Sequence, residues 1–273
     1  MEEVKYDKFK DEWQKCIDDE SRKKISLTWL EGEGSLDRWR HQRIYNLLKP
    51  LVNINKKKTW VTIGDGRYGT DANALLKMGV EKVLCTDLSE ILLKKGKAAG
   101  FIKEFSQENG ECLSFDDYSF DYVLCKEAYH HFPRPSIALY EMMRVCKIGV
   151  VLIEPNDSII DYKPLSFIVP LVKNILGQKA NIDRHEFEDV GNYCYRVSKR
   201  EIEKFQLGMH RRYVAFKGIN DYYEKGVEFI NLNTKNIDAK YFDNPMMDFV
   251  DVKNEKISNI ISFKRIILLV GSR

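Results

Sequence analysis

The sequence predicts an α/β fold built on a doubly wound parallel sheet. From residue 59 onward, short apolar runs alternate with segments in which apolar residues recur every three to four positions. A glycine-rich turn at 64–69 joins the first apolar run to the first helical segment. Strict alternation of strands and helices predicts parallel strands, because each helix returns the chain to the end of the sheet where it started.

The segment before the sheet, residues 5–50, has a helical pattern throughout. Its apolar residues recur at three to four positions, and the glycines at 32 and 34 divide it into two helical pieces. Pro50 is predicted to end the last of these helices, since proline has no N–H for the helical ladder.

The alternating part begins at 59. Its predicted strands cover 60–63, 82–86, 120–125 and 150–153, and its predicted helices cover 71–78, 90–99 and 137–145. Residues 155–197 break the alternation with three prolines and a polar, aromatic stretch, RHEFEDVGNYCYR, and we interpret them as an inserted cap. A helix at 199–209 and strands at 213–216 and 262–270 then resume the pattern.

We therefore predict three units in the chain of 273 residues. An N-terminal helical cover takes residues 1–58, and an inserted substrate cap takes 156–197. The α/β core combines 59–155 with 198–273. A chain of this length can bury a substantial core.

The balance of charge argues against nucleic-acid and membrane partners. The chain has 44 basic and 41 acidic residues, a net charge of +3, whereas proteins that track phosphates need a basic surface.

We find no apolar leader at the N-terminus, and the apolar run at 266–271 is too short to span a bilayer. Cys85, Cys125 and Cys146 lie in or beside apolar runs and are expected to be buried free thiols, consistent with a cytoplasmic protein.

The glycine turn predicts a cofactor cradle. Gly64, Gly66 and Gly69 form a G-x-G-x-x-G pattern between a strand and a helix, where the backbone can approach a ligand closely. Asp87 ends the second strand, where a carboxylate can accept both ribose hydroxyls of an adenosine. NAD and S-adenosylmethionine both satisfy this pattern, and a glycine turn without a ligand remains the alternative.

Later motifs separate these cofactors. The stretches ENGECLSFDDYSFDYVLCKEAYHHF and ALYEMMRVCKIGVVLIEPND resemble the class I S-adenosylmethionine-dependent methyltransferases in five ordered motifs. The resemblance covers about 60–154 and extends loosely to a closing strand at 261–271. It implies a seven-stranded Rossmann-like methyltransferase sheet whose seventh strand is antiparallel, with S-adenosyl-L-methionine as the cofactor.

The resemblance also implies roles for individual residues. Thr62 stands where the family usually has an acid, which leaves Asp65 or another group to contact the ammonium of the cofactor. Residues expected beside the methionine part are Gly64, Asp65, Gly66, Gly69 and Lys126. Those expected at the ribose and the adenine are Asp87, Leu88, Asn109, Gly110 and Glu111.

Candidate catalytic groups follow the fourth predicted strand. Histidine side chains titrate near neutral pH and can act as general bases. We favour His130 as the base, and we expect His131 to pack against or cap the following helix. Glu154 and Asn156 follow the fifth strand and are predicted to bind acceptor hydroxyls, with a simple chain turn as the equal alternative.

The acceptor is predicted from the cap. Carboxylates, an amide and aromatics are interleaved there, which suits a sugar or another polyol, although a solvated helix has the same composition. Arg38, in the helical cover, is a further candidate to close over the site, the alternative being a helix with a buried tryptophan and solvated arginines. The predicted substrate-binding residues of the cap are Glu186, Tyr193 and Arg196.

We predict no metal, because Glu154, Asp157 and Asp161 form no tight carboxylate cluster in the sequence. The overall prediction is O-methylation of a small acceptor, either a sugar or a nucleotide-linked sugar that serves as a surface-glycan precursor. A homodimer is left open. The alternatives are a non-catalytic cofactor-binding protein of the same fold and an NAD-dependent oxidoreductase.

Overall fold

The computed structural model describes residues 6–31, 34–155, 171, 175, 186–187, 193–195, 197–209, 213–219, 226–232 and 265–271. Most of the predicted cap therefore lies outside the described residues, and so do the predicted site residues Asn156 and Arg196. The metal candidates Asp157 and Asp161 lie outside them as well.

A parallel sheet of five strands forms the centre of the molecule and confirms the predicted α/β class. These strands are β1 (Thr59–Ile63), β2 (Lys82–Asp87), β3 (Glu104–Gln107), β4 (Phe120–Lys126) and β5 (Cys146–Glu154). Their spatial order is β3-β2-β1-β4-β5. The order reverses between β1 and β4, and open α/β sheets bind ligands at the carboxyl ends of the strands beside such a switch.

The described residues form four more strands. Strands β6 (Glu186–Phe187) and β7 (Tyr193–Cys194) form a separate hairpin. Strand β9 (Arg265–Gly271) pairs antiparallel with β5 on one side and with β8 (Tyr213–Ile219) on the other. The strand predicted near the end of the sequence thus lies between β5 and β8.

Helices cover the sheet. The N-terminal ones are α1 (Tyr6–Asp18), α2 (Glu20–Glu31), α3 (Leu36–Asn46) and α4 (Lys49–Ile54). Those that alternate with strands are α5 (Thr70–Lys77), α6 (Ile91–Ala98), α7 (Pro135–Val145) and α8 (Lys199–Gly208). None of the helices in these ranges combines the length and the apolarity that a membrane crossing requires.

One sequence prediction was wrong, and one strand was missed. Pro50 does not end a helix but lies in the first turn of α4, where its missing N–H has no helical partner to lose. Strand β3 was not predicted, because its four residues, EFSQ, are short and polar at the edge of the sheet.

The core lies on both faces of the sheet. Val61 and Ile63 pack in one cluster with α7, while Trp60, between the sheet and the N-terminal helices, packs in the other. Ile44 and Leu48 of the N-terminal segment are fully buried in that second cluster. Burial on both faces explains why the strands are almost continuously apolar. The predicted buried free thiols at Cys85, Cys125 and Cys146 are confirmed.

Candidate functional site

The loops that follow β1, β2, β4 and β5 meet at the carboxyl end of the sheet. Ile63 lies between Thr86 and Cys125 in the sheet register, and Lys126 pairs with Ile153. The glycine turn, Asp87, and the segments after β4 and β5 are therefore neighbours in space. This edge collects most of the predicted cofactor and catalytic residues.

Two glycines of the turn allow close contacts with neighbouring loops. Gly64 has a φ of +73°, and a Cβ there would lie 2.4 Å from the Cβ of Ala128. A Cβ on Gly66 would lie 2.7 Å from Oδ2 of Asp87. The turn after β1 thus contacts both the end of β2 and the segment after β4, and neither contact tolerates a side chain.

Gly69 and Asp65 face the interior of the domain. Gly69 has a φ of +74°, and a Cβ there would lie 2.5 Å from Ile102. The Asp65 carboxylate accepts hydrogen bonds from the backbone N–H of Ala72 at 2.8 Å and from the Thr62 hydroxyl at 3.0 Å. It therefore caps the start of α5, and its burial, with the nearby charge of Asp71, raises its pKa.

Asp87 is half-buried at the end of β2. Its carboxylate accepts a hydrogen bond from the backbone N–H of Ser89 at 2.8 Å. Loss of solvent around the carboxylate raises its pKa to about 7, and backbone N–H groups of Ser89 and Gly66 limit the rise. Leu88 follows, half-buried, as the first residue of the loop.

The turn at 109–111 borders the same edge. The Asn109 side-chain oxygen accepts a hydrogen bond from the backbone N–H of Glu111 at 3.0 Å. Gly110 is buried, and a Cβ there would lie 2.9 Å from the ring of Phe132. Phe132 also lies 3.7 Å from the Cβ position of Gly64. Sequence reasoning missed this aromatic residue, although it directly follows the two histidines.

Glu111 connects the turn to the N-terminal helix. Its buried carboxylate accepts hydrogen bonds from the Tyr6 hydroxyl at 2.7 Å and from Nε of Arg134 at 2.6 Å. The Arg134 guanidinium also donates to the Tyr6 oxygen. Glu111 therefore anchors the first residue of α1 beside the predicted adenine edge.

Lys126 is a buried cation at the end of β4. Its ammonium lies 2.6 Å from the Glu127 carboxylate and 3.7 Å from that of Asp71. Burial raises the pKa of Asp71, and the charge of Lys126 opposes that rise. The lysine thus compensates the buried carboxylate of Asp71 and the half-buried one of Glu127.

His130 and Glu154 form a pair across the ends of β4 and β5. The Glu154 carboxylate, 1% exposed, accepts hydrogen bonds from the backbone N–H groups of Tyr129 at 2.9 Å and Ala128 at 3.1 Å. Its second oxygen contacts Nδ1 of His130. These three contacts fix the Glu154 carboxylate, which in turn orients the His130 ring. Because Nδ1 of His130 carries the proton shared with Glu154, the lone pair of the neutral ring is on Nε2.

The hairpin β6–β7 lies beside the histidines. The backbone N–H of Tyr195 donates to the His130 carbonyl at 2.8 Å, and the rings of Tyr193 and Tyr195 contact edge to face at 4.7 Å. Sγ of Cys194 lies 3.4 Å from Nδ1 of His131. The predicted substrate residue Tyr193 therefore lies in the strand that contacts the histidines. The other predicted residue of the hairpin, Glu186, pairs through its backbone with Cys194.

The arginine side chains of α3 are not all exposed to solvent as expected. Arg40 is 6% exposed, and its guanidinium bonds the Asp37 carboxylate at 2.9 Å. The expectation of solvated arginines is wrong for Arg40, because a buried carboxylate on the same helix compensates its charge. Arg38 bonds the carbonyl of Trp29, whose ring packs with Tyr68 of the glycine turn. Arg38 is thus bonded to the backbone of a residue whose ring packs with that turn.

Residues 61–153 match a family model described as a methyltransferase domain. Comparison with curated proteins finds no match to this sequence.

Three solved structures illustrate the shared fold. Magnesium protoporphyrin IX methyltransferase from Synechocystis PCC 6803, solved with bound SAM, is 12% identical, with a TM-score of 0.54 and 94% of each chain covered. A SAM-dependent methyltransferase of Thermotoga maritima, described as a possible histamine N-methyltransferase, is 12% identical, with a TM-score of 0.52 and 98% of each chain covered. The YcgJ protein of Bacillus subtilis is 17% identical, with a TM-score of 0.52; the match covers 85% of this chain and 98% of that one.

Proposed function

We propose that this chain, whose residues 61–153 match a methyltransferase-domain model, is a class I S-adenosylmethionine-dependent methyltransferase that methylates a hydroxyl of a small, sugar-like acceptor. The observation that carries the proposal is the position of the His130–Glu154 pair at the same sheet edge as the glycine turn and Asp87. A cofactor cradle and an oriented base at one edge are what hydroxyl methylation requires.

The residues at the sheet edge fit S-adenosyl-L-methionine. Gly66 lies so close to Asp87 that no side chain fits between them. The backbone of Gly66 and the carboxylate of Asp87 would therefore both be available to a bound ribose. Gly110 and Phe132 form a flat, apolar border where an adenine would lie. The protoporphyrin methyltransferase with bound SAM has the same fold, which supports this cofactor.

S-Adenosyl-L-methionine bound at this edge would supply an electrophilic methyl group on a sulfonium centre, with S-adenosylhomocysteine as the leaving group. The chain's own contribution is to hold the ribose hydroxyls at Asp87 and to align the acceptor. His130, held by Glu154 through Nδ1, would take the acceptor's hydroxyl proton at Nε2. Glu154 in this proposal positions the base and does not itself contact the acceptor.

The choice of a sugar-like acceptor rests on the hairpin. The backbone of Tyr195 bonds to the His130 carbonyl, and the Tyr195 ring contacts the ring of Tyr193. Aromatic rings can pack against the C–H face of a sugar while its hydroxyl groups bond to polar neighbours. Glu186 and Arg38 are retained as candidate acceptor contacts. Asn156 and Arg196 keep that status from the sequence alone. A nucleotide-linked sugar serving as a glycan precursor is the specific class we propose.

Calorimetric titration tests the cofactor first. S-Adenosylhomocysteine should bind the wild type and bind at least about tenfold more weakly to Asp87→Ala, which loses the acceptor for two ribose hydroxyls. NAD should not bind. The exposed Asp116 offers a matched control, and Asp116→Ala should retain wild-type affinity.

Two results would contradict the proposal. Binding of NAD in preference to S-adenosylhomocysteine would favour an oxidoreductase. Binding of S-adenosylhomocysteine without methyl transfer to any of a panel of sugars and nucleotide sugars would overturn the acceptor class and leave the cofactor in place.

A further inference from the structure

Three potential metal ligands converge beside the 3-10 helix Tyr129–His131. His130, His131 and Cys194 each place a ligand atom within 4.8 Å of the others, and all three side chains are half-buried. Cys194 comes from the β7 strand, so the cluster joins two parts of the chain that are remote in sequence. We propose that these three residues bind a divalent ion of the zinc class.

The separation between two of the three ligand atoms matches such an ion. Nδ1 of His131 and Sγ of Cys194 are 3.4 Å apart. A tetrahedral zinc with its usual N and S bond lengths separates those two atoms by about 3.5 Å. An S–H···N hydrogen bond has a similar length, and a charge-transfer band from thiolate to bound cobalt distinguishes the ion from that hydrogen bond.

The surroundings of His130 also suit a metal ligand. Its Nδ1 contacts the buried Glu154 carboxylate. Histidine ligands in metal sites usually donate the second ring nitrogen to a carboxylate, which fixes the tautomer and raises the basicity of the coordinating nitrogen. Glu154 would do this here and direct Nε2 towards the ion.

The ligand set favours zinc over magnesium or calcium. Two imidazoles and a thiolate are soft or borderline ligands, whereas magnesium and calcium prefer oxygen. Binding would release the thiol proton of Cys194 to solvent, because the thiolate is the ligand. Three protein ligands also leave a fourth tetrahedral position for water or another small molecule.

This site does not depend on the proposed methyl transfer, but it would affect it. The ring nitrogen of His130 that would coordinate zinc is the one assigned as base above. A zinc-loaded chain would therefore be unable to use His130 for proton removal, so zinc would inhibit base-assisted transfer.

Cobalt absorption tests the site without measuring turnover. Chelator-treated full-length protein should bind one Co²⁺ per chain, with visible bands typical of tetrahedral cobalt and a thiolate charge-transfer band in the near ultraviolet, and Zn²⁺ should abolish both. Cys194→Ser should lose the charge-transfer band and bind at least about tenfold more weakly. Cys112→Ser, at an exposed cysteine elsewhere, should match the wild type.

Three outcomes would overturn the proposal: no tetrahedral bands in the wild type, an unchanged charge-transfer band in Cys194→Ser, or loss of that band in Cys112→Ser. His131→Gln provides a second variant in case Cys194→Ser fails to fold, and it should lose the tetrahedral bands. Calorimetry with S-adenosylhomocysteine on the same samples keeps failure of the metal site distinct from failure of the cofactor assignment.

Discussion

Gly66 lies against the Asp87 carboxylate, with room for no more than a hydrogen atom between them. Because Asp87 is a short side chain, a methyl group on Gly66 would turn its carboxylate away and leave the backbone largely in place. The close contact therefore positions a binding group more than it stabilises the fold.

Gly66→Ala should accordingly weaken S-adenosylhomocysteine binding by at least about tenfold, because the displaced carboxylate can no longer meet both ribose hydroxyls. Calorimetry measures the affinity, and circular dichroism should show a folded protein. Gly208→Ala is the matched control, since a Cβ on Gly208 meets nothing within 4 Å. Wild-type affinity in Gly66→Ala would contradict the role assigned to this contact.

The raised pKa of Asp87 predicts a specific dependence of stability on pH. Its pKa is about 7 in the folded protein, against 3.8 for an ordinary aspartate. Between these values the folded chain retains a proton that the unfolded chain releases. The free energy of unfolding should therefore fall as pH rises from 4 to 7, by at most about 1.4 kcal/mol per pH unit for this group.

Asp87→Asn should remove that contribution. The free energy of unfolding, measured by urea titration, should then fall less steeply between pH 4 and pH 7 than it does in the wild type. The comparison with wild type isolates Asp87, because burial also raises the pKa values of Asp65 and Asp71 in both proteins. Asp116→Asn, at an exposed aspartate, should keep the wild-type slope. Equal slopes for wild type and Asp87→Asn would refute the assigned pKa.

His130→Ala should reduce kcat by about 10²- to 10⁴-fold with metal-free protein, the usual contribution of a general base, and leave S-adenosylhomocysteine affinity unchanged. Glu154→Gln should cause a smaller reduction, since it loosens the orientation of the ring but retains an acceptor for the backbone N–H groups. Glu104→Gln, at an exposed residue of the edge strand β3, serves as the control. Unchanged turnover in His130→Ala would remove this residue from catalysis.

Tyr6→Phe should loosen the N-terminal helix. It deletes the hydroxyl that donates to Glu111 and accepts from Arg134, a net loss of about 1 kcal/mol. Hydrogen exchange of the α1 amides should become faster, with little change in the sheet. Tyr118, 54% exposed, is the control, and Tyr118→Phe should exchange like the wild type. Unaltered α1 exchange in Tyr6→Phe would mean that helix contacts alone hold α1.

Local patterns were sufficient to predict much of the sheet edge. The glycine turn and the two histidines follow short apolar strands, Asp87 ends another, and parallel strands bring their carboxyl ends together. The boundaries of β1, β2 and β4 therefore agreed with the structure to within a residue. In these cases the sequence neighbourhood of each residue determines where it lies.

Contacts between remote segments could not be predicted in the same way. Nothing in the sequence pairs Cys194 with His131, or Tyr6 with Glu111, because each contact depends on how whole elements pack. The inward orientation of Asp65 has a similar origin. Its carboxylate accepts hydrogen bonds from the N–H groups of α5 only after the turn has folded. A residue that lies in a ligand-binding sequence pattern therefore caps the neighbouring helix.

The position of β9 has a consequence for synthesis of the protein. One side of β5 pairs with β9, and the ribosome delivers β9 only after residues 155–264 have emerged. A nascent chain that has completed β1 to β5 therefore carries an open, apolar strand edge in the crowded environment outside the ribosome exit tunnel. Such edges recruit strands from other molecules, so we expect the unfinished chain to depend on chaperones for far longer than the early completion of its glycine turn would suggest.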